Sequence, residues 1–326
     1  MYSLLDSARW GLLTMTLKVI SPIRLCNDVL CAAFAVMVSL GFGIAAGNAH
    51  NLANAAAHDS TAAVPDWLRG VWTREWIQEG KAKSNTLDVN YLQTPTYFAD
   101  IRIPKDRTRF PNAQSFADLT DQQLRLLARQ NGFTGLTTTS GPVATWNHDI
   151  QFQPSDGAPD RGRLQRIALG RMHEHGLDGS YIESWRSTTG GDGHFLVIRV
   201  KHTGRLLRTL VVVGNRFVYV RNRAVDLPAA ASFEALFDST KASRAQIEEY
   251  LDCEFSVGRV RGGSVPWEIE QSTLPWREGR HLNFVDEVTV AEGGPELAPR
   301  AVGNEEWAVP INTLTAREVG ELFGRK

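Results

Sequence analysis

The sequence predicts a mainly β protein of antiparallel barrel type, arranged as two similar β-rich lobes with a few short helices. Three observations predict it. From Trp67 onward, apolar and polar residues alternate with a period of two in many short runs. Two of these runs, Arg205–Val213 and Arg216–Val220, flank Gly214 and Asn215, a pair suited to a two-residue hairpin turn. A motif also recurs: Gly70, Trp72 and Trp76 return as Gly179, Tyr181 and Trp185. Each copy leads to an F-x-x-I-R match, at Phe98–Arg102 and then at Phe195–Arg199. Two matches in a fixed order are the mark of a duplicated unit.

The chain of 326 residues carries 43% hydrophobic residues, 22% charged residues and nine Trp, the composition of a folded domain with a sizeable core. Its net charge of −1 argues against a nucleic-acid groove, which needs a basic excess. The N-terminus differs from the rest. Lys18 and Arg24 precede an uncharged apolar run from Val29 to Ala46, and Ala53, Asn54 and Ala55 follow as an A-x-A site. That order marks a secretory signal and a periplasmic or secreted protein. If the segment is retained, its apolar run instead serves as a membrane anchor. Removing the leader takes away Cys26 and Cys31, and the remaining Cys253 reads as a small core hydrophobe. The expected organisation is a leader over residues 1–55, a first lobe over 65–155, a second lobe over 160–291, and a C-terminal extension over 292–326 with a short helix.

Strands are expected at Trp72–Ile77, Tyr97–Pro104, Thr145–Gln153, Tyr181–Ser187, Phe195–His202, Glu254–Arg261, Trp267–Thr273 and Val285–Ala291, besides the hairpin. Helices are expected from Thr120 to Gln130, from Ser239 to Leu251 and from Thr315 to Phe323. Gln153–Arg163 and Ala291–Asn304 are rich in Gly, Pro and acid and read as loops, the first dividing the lobes.

Pro65, Trp67, Gly70 and Trp72 together resemble the entry of a lipocalin-type barrel, where a short helical turn runs into a G-x-W on the first strand. The resemblance implies a closed antiparallel barrel of the calycin type. Such a barrel holds a small apolar molecule or, in some relatives, performs chemistry on one.

His148 shares a strand face with Trp146, Ile150 and Phe152, so it is expected to point into an apolar interior, where a neutral imidazole suits a general base. Glu183 lies between Tyr181 and Trp185 on one aromatic face, as Arg74 lies between Trp72 and Trp76. A carboxylate so placed must be paired or protonated, and Arg74 is its expected partner. Asp100 and Arg102 share a face with Phe98, and Arg199 repeats Arg102; such a face either binds an anionic group or lies in solvent. Glu268 and Glu270 are expected outward. Trp276 and Arg277 read as a turn suited to a lid. His173 and His175 lack a third ligand at a recognisable spacing, so no metal site is expected. The glycine-rich stretch from Thr188 to Gly193 joins two strands and does not open a helix, so it is no phosphate loop.

No nucleotide fingerprint, H-E-x-x-H, G-x-S-x-G or CxxC is present, and no cofactor is expected. Two functions remain: binding of a small apolar or aromatic molecule in a barrel cavity, or a cofactor-free lyase, isomerase or hydratase working by acid–base chemistry. His148 and Glu183 are the candidate catalytic groups. The candidate ligand contacts are Trp72, Arg74, Trp76, Asp100, Arg102, Trp146, Tyr181, Trp185 and Arg199.

Overall fold

The computed structural model describes residues 63–155, 157–189, 193–290, 297–299 and 304–323. The leader expected over residues 1–55 lies outside them.

A closed antiparallel barrel of eight strands forms the first part of the fold. Its chain order is β1 (Gly70–Glu79), a short flap β2 (Ala82–Ser84), β3 (Leu87–Gln93), β4 (Tyr97–Pro104), β5 (Asn131–Ser140), β6 (Val143–Gln151), β7 (Asp160–Ala168), β8 (Arg171–Gly176) and β9 (Tyr181–Thr189). Each long strand pairs with the next, and β9 returns to β1, which leaves no open edge. The β2 flap extends the far end of β1 alone. Between β4 and β5 lies α1 (Asp121–Leu127), capped by the Thr120 side chain on the Gln123 amide with Gln123 answering in return.

A six-stranded antiparallel sheet follows, in the order β14-β13-β12-β11-β10-β17. Its strands are β10 (Phe195–His202), β11 (Arg205–Val213), β12 (Arg216–Arg221), β13 (Glu254–Arg259), β14 (Glu268–Ser272) and β17 (Glu305–Asn312); β15 (Val288–Val290) and β16 (Leu297–Pro299) make a separate small ribbon. The Gly214-Asn215 hairpin forms as expected, with Gly214 at φ 57°, a conformation its lack of Cβ permits. The helix expected over Ser239–Leu251 is two helices, α2 (Phe233–Thr240) and α3 (Arg244–Leu251). Thr240 closes the first by bonding back to the Leu236 carbonyl, Lys241 turns the chain in the left-handed region, and Ser243 caps the second. A last helix, α4 (Ala316–Leu322), starts at the Thr315 cap.

Alternation sorts the side chains into three cores. Trp72, Val89, Tyr91, Phe98, Trp146, Leu164, Met172 and Trp185 fill the barrel. The outward residues of β3 and β4, such as Leu92, Ala99, Ile101 and Ile103, pack against Val197, Val211, Val218, Phe255 and Val257 of the sheet. The other face of the sheet, with Ile198, Leu210 and Phe217, is covered by Trp267, Leu282, Phe284 and Val319. Buried Cys253 belongs to the middle core, and burial pushes its thiol pKa up.

The recurring motif occupies one structure and not two. Its copies lie on β1 and β9, which are hydrogen-bonded neighbours in a single barrel. Phe98 stands in that barrel, whereas Phe195 stands on the first strand of the sheet. The boundary expected at Gln153–Arg163 is a connection between paired strands β6 and β7, and the chain leaves the barrel only after β9. Strand pairing, which the loop composition does not report, decides where the unit ends.

Candidate functional site

The barrel has a plugged end and an open end. At the plugged end a 3-10 turn, Asp66–Leu68, crosses the barrel, and the Trp72 indole donates to the Leu68 carbonyl at 2.7 Å. Behind it the Trp146 indole donates to the Tyr91 hydroxyl at 3.1 Å, and Tyr91 donates to Gln93, which also accepts from Thr137 at 2.8 Å. Burial pushes the Tyr91 pKa up, so its hydroxyl stays a donor. The Trp72–Leu68 end is a satisfied, packed stopper, and Trp146 stands between it and the cleft, whose wall it joins.

Toward the open end the interior turns ionic. Arg74 donates to Glu183, and both side chains are almost completely buried. Arg102 donates twice to Asp100, at 2.8 and 3.1 Å, and reaches Glu183 at 3.8 Å. Burial alone would weaken the Arg102 charge, but the nearby Asp100 and Glu183 carboxylates outweigh it and raise its pKa. The sequence thus paired Arg74 with Glu183 correctly, and it placed Asp100 and Arg102 on the face of Phe98 correctly. What joins Arg74 to Glu183 is the closing seam of the barrel.

Glu174 was not anticipated. It lies on β8 between Met172 and Gly176 on the inward face, is 6% exposed, and accepts from the Tyr181 hydroxyl at 2.8 Å. Two glycines clear its space. A Cβ on Gly162 would lie 2.7 Å from Glu174 Cγ, and a Cβ on Gly176 would lie 2.8 Å from the Tyr181 ring. Burial pushes the Glu174 pKa up to about 8, the neighbouring Glu183 charge adding to it. Burial and the Glu174 charge likewise raise that of Tyr181. The signal was legible in principle: in the run from Arg171 to Gly176, strict alternation sets Glu174, and not the two histidines, beside Met172.

His148 stands at the rim. Its Nε2 lies 2.9 Å from Asp160 Oδ2 and its Nδ1 lies 3.1 Å from Gln151 Oε1, while its ring packs on Phe133 and Phe98 at 4.5 and 5.9 Å. The expectation that it shares a face with Ile150 and Phe152 fails because of a bulge. Gly135 pairs with His148 but Thr134 pairs with Ile150, so Asp149 is the extra residue. Ile150 and Phe152 therefore flip to the outer core, while Trp146 and His148 stay inward.

A second bulge corrects Trp76. Arg74 pairs with Trp185 and Trp76 with Ser184, so Glu75 is skipped and Trp76 faces outward. There it packs edge-on against His173, with Lys83 over its ring. Arg199 is not part of the barrel interior: it sits on β10 and donates to Asp149 at 2.7 Å. Trp72 belongs to the stopper and Tyr181 to the mouth, opposite ends of the barrel. Of the other candidates, Glu270 answers Arg216 and Arg259 on the sheet, and Trp276 packs on Phe116. Among the described residues no group of three or more His, Cys, Asp or Glu is disposed to hold a metal ion.

The mouth opens into a cleft of about 1280 Å³ whose barrel side includes Ile77, Leu87, Arg102, Phe133, Trp146, His148, Asp160, Glu174, Tyr181 and Glu183. Its other wall comes from α1, residues 153–155 and 157–159, and the start of α2. A chamber of about 20 Å³ lies deeper, against Tyr91, Phe98, Asp100 and Trp185. Asp100 Oδ1 and Trp185 Nε1 of that lining, and Arg74 Nε apart from it, are buried without a hydrogen-bond partner among the described residues. Chemically, the mouth offers aromatic walls, a hydroxyl and acid pair, and a set of fixed charges. Neither protein-family models, curated proteins nor solved structures match this chain.

Proposed function

We propose that the protein binds a small molecule with an aromatic or otherwise apolar body in the open mouth of its barrel. The observation that carries this reading is the asymmetry of the barrel: one end is closed by the Trp72–Leu68 stopper, the other leads to a wide cleft walled in part by Phe133 and Trp146. Concave sites with apolar walls and a few converging polar groups are where small ligands settle. The ligand's body lies against Phe133, Trp146, Ile77 and Leu87, and its polar end meets Glu174 and Tyr181. Kinship with lipocalin-type barrels and export to the periplasm or beyond are part of the same reading, supported by the entry motif and by the N-terminal signal pattern. Native mass spectrometry of the protein purified from its own host tests it. A retained molecule that is lost on Trp146→Ala supports the reading; ligand-free protein that binds no member of an aromatic library refutes it.

A cofactor-free acid–base enzyme is the second reading, favoured by the raised pKa of Glu174 beside the cleft. His148 suits it less well as a base, because both ring nitrogens already face partners. On this reading Glu174 is the acid, and Glu174→Gln lowers turnover of the retained molecule by about 10²–10⁴.

A further inference from the structure

We propose that the ligand of the barrel mouth carries an organic ammonium group, held by Glu174 among the rings of Phe133, Trp146 and Tyr181. The proposal rests on the small-molecule reading above and names the chemical class of the ligand.

The charges of the interior balance only while Glu174 keeps its proton. Asp100, Glu174 and Glu183 lie inside and Asp160 lies at the rim; the guanidiniums facing them are those of Arg74 and Arg102. Arg74 is engaged by Glu183 and Arg102 by Asp100, and the His148 ring faces Asp160. Among the described residues Glu174 makes no ion pair, and its hydrogen bond comes from a neutral phenol. A buried acid beside a second carboxylate is unfavourable by itself, and a glutamine or leucine would fill the place without that cost. Yet Gly162 and Gly176 clear the volume that Glu174 and Tyr181 need. The arrangement is a built one that lacks a cation for the ionised form of Glu174.

An ammonium supplies that charge, and the mouth already suits it. Cations bind over aromatic faces, most strongly where water is excluded, and Trp146 and Tyr181 line the mouth with Glu174, while the Phe133 ring already carries Arg102 at 5.3 Å. A carboxylate ligand would meet a carboxyl-rich mouth whose two guanidiniums are engaged. A neutral ligand would leave Glu174 in its protonated form.

The proton balance gives the test its sign. Glu174 holds a proton up to about pH 8, so the ammonium displaces it: one N–H⁺ to carboxylate contact forms, and one proton leaves for solvent. The groups that face this exchange are Glu183 and Tyr181 on β9, Asp160 on β7, Arg102 and Asp100 on β4, Arg74 on β1 and His148 on β6.

The probes are 2-phenylethylamine, 2-phenylethanol and phenylacetate, titrated calorimetrically at about pH 6 and about pH 9, below the amine's own pKa. Buffers of different ionisation heat count the protons. The amine should bind more tightly than the alcohol by about tenfold or more at the higher pH, with the gap narrowing at the lower pH. About one proton should be released per amine bound at the lower pH. Glu174→Gln should abolish the gap, and a cooperative melting transition with an unchanged circular dichroism spectrum shows that the variant is folded. Equal binding of amine and alcohol, tighter binding of phenylacetate, or an unchanged gap in Glu174→Gln would each overturn the ammonium assignment alone. Failure of all three probes would overturn it together with the small-molecule reading.

Discussion

Arg74 on β1 and Glu183 on β9 form a buried ion pair across the seam that closes the barrel. Both strands carry their charge between aromatic residues, and closure of the sheet brings the two charges together. The pair has few water contacts to soften its loss, so it is the place where the barrel's polar interior is most exposed to mutation.

Removing one partner should be costly. Arg74→Met leaves Glu183 buried with Arg102 at 3.8 Å as its remaining cation, and should destabilise the fold by about 3–5 kcal/mol. The double variant Arg74→Met with Glu183→Leu should recover most of that, because a packed apolar pair leaves no stranded charge. Urea denaturation of the single and double variants checks this, and additive losses would show that the pair is not coupled.

Stability should fall with rising pH on account of Glu174. Its pKa in the fold is about 8 against an ordinary value of 4.5, so the folded chain holds a proton that the unfolded chain gives up. Folding is therefore favoured in acid, and this contribution is lost as pH rises from about 4.5 to about 8. Glu174→Gln should flatten the slope over that window. Melting temperatures of both proteins across the range decide it, and parallel curves would assign the slope elsewhere.

The glycine cradle yields a steric prediction. Gly162→Ala sets a methyl 2.7 Å from Glu174 Cγ, so Glu174 must shift. Overpacking of this kind costs about 1–3 kcal/mol. Binding at the mouth should weaken beyond what the loss of stability explains. Gly80→Ala, whose Cβ meets nothing within 4 Å, tests a turn glycine and should leave mouth binding unchanged.

The stopper should matter to the fold and not to the mouth. Trp72→Phe keeps the ring and removes the donor to Leu68, leaving a buried carbonyl without that bond, at a cost of about 1–3 kcal/mol. Affinity for a mouth ligand should be unchanged, as calorimetry would show.

Local pattern determined a good deal of this protein by itself. It predicted β1, β4, β6 and β9 of the barrel and all of the sheet strands but β17, the Gly214-Asn215 hairpin, and the helices that open at Thr120 and Thr315, because each depends on residues a few positions apart. Strands β3, β5, β7 and β8 were not expected. Alternation also set Glu183 between Tyr181 and Trp185, and alignment of the two motif copies pointed to Arg74 as its partner. Three things were decided by tertiary structure alone. Bulges at Glu75 and Asp149 turned Trp76 outward and moved Ile150 and Phe152 off the face of His148, since one extra residue reverses every side chain beyond it. Pairing of β1 with β9 made two similar strands neighbours in one barrel, a contact 109 residues apart in the chain that no local spacing encodes. The character of Glu174 came last of all, because a raised acid pKa arises from burial and from charges on other strands, and those exist only once the barrel has closed.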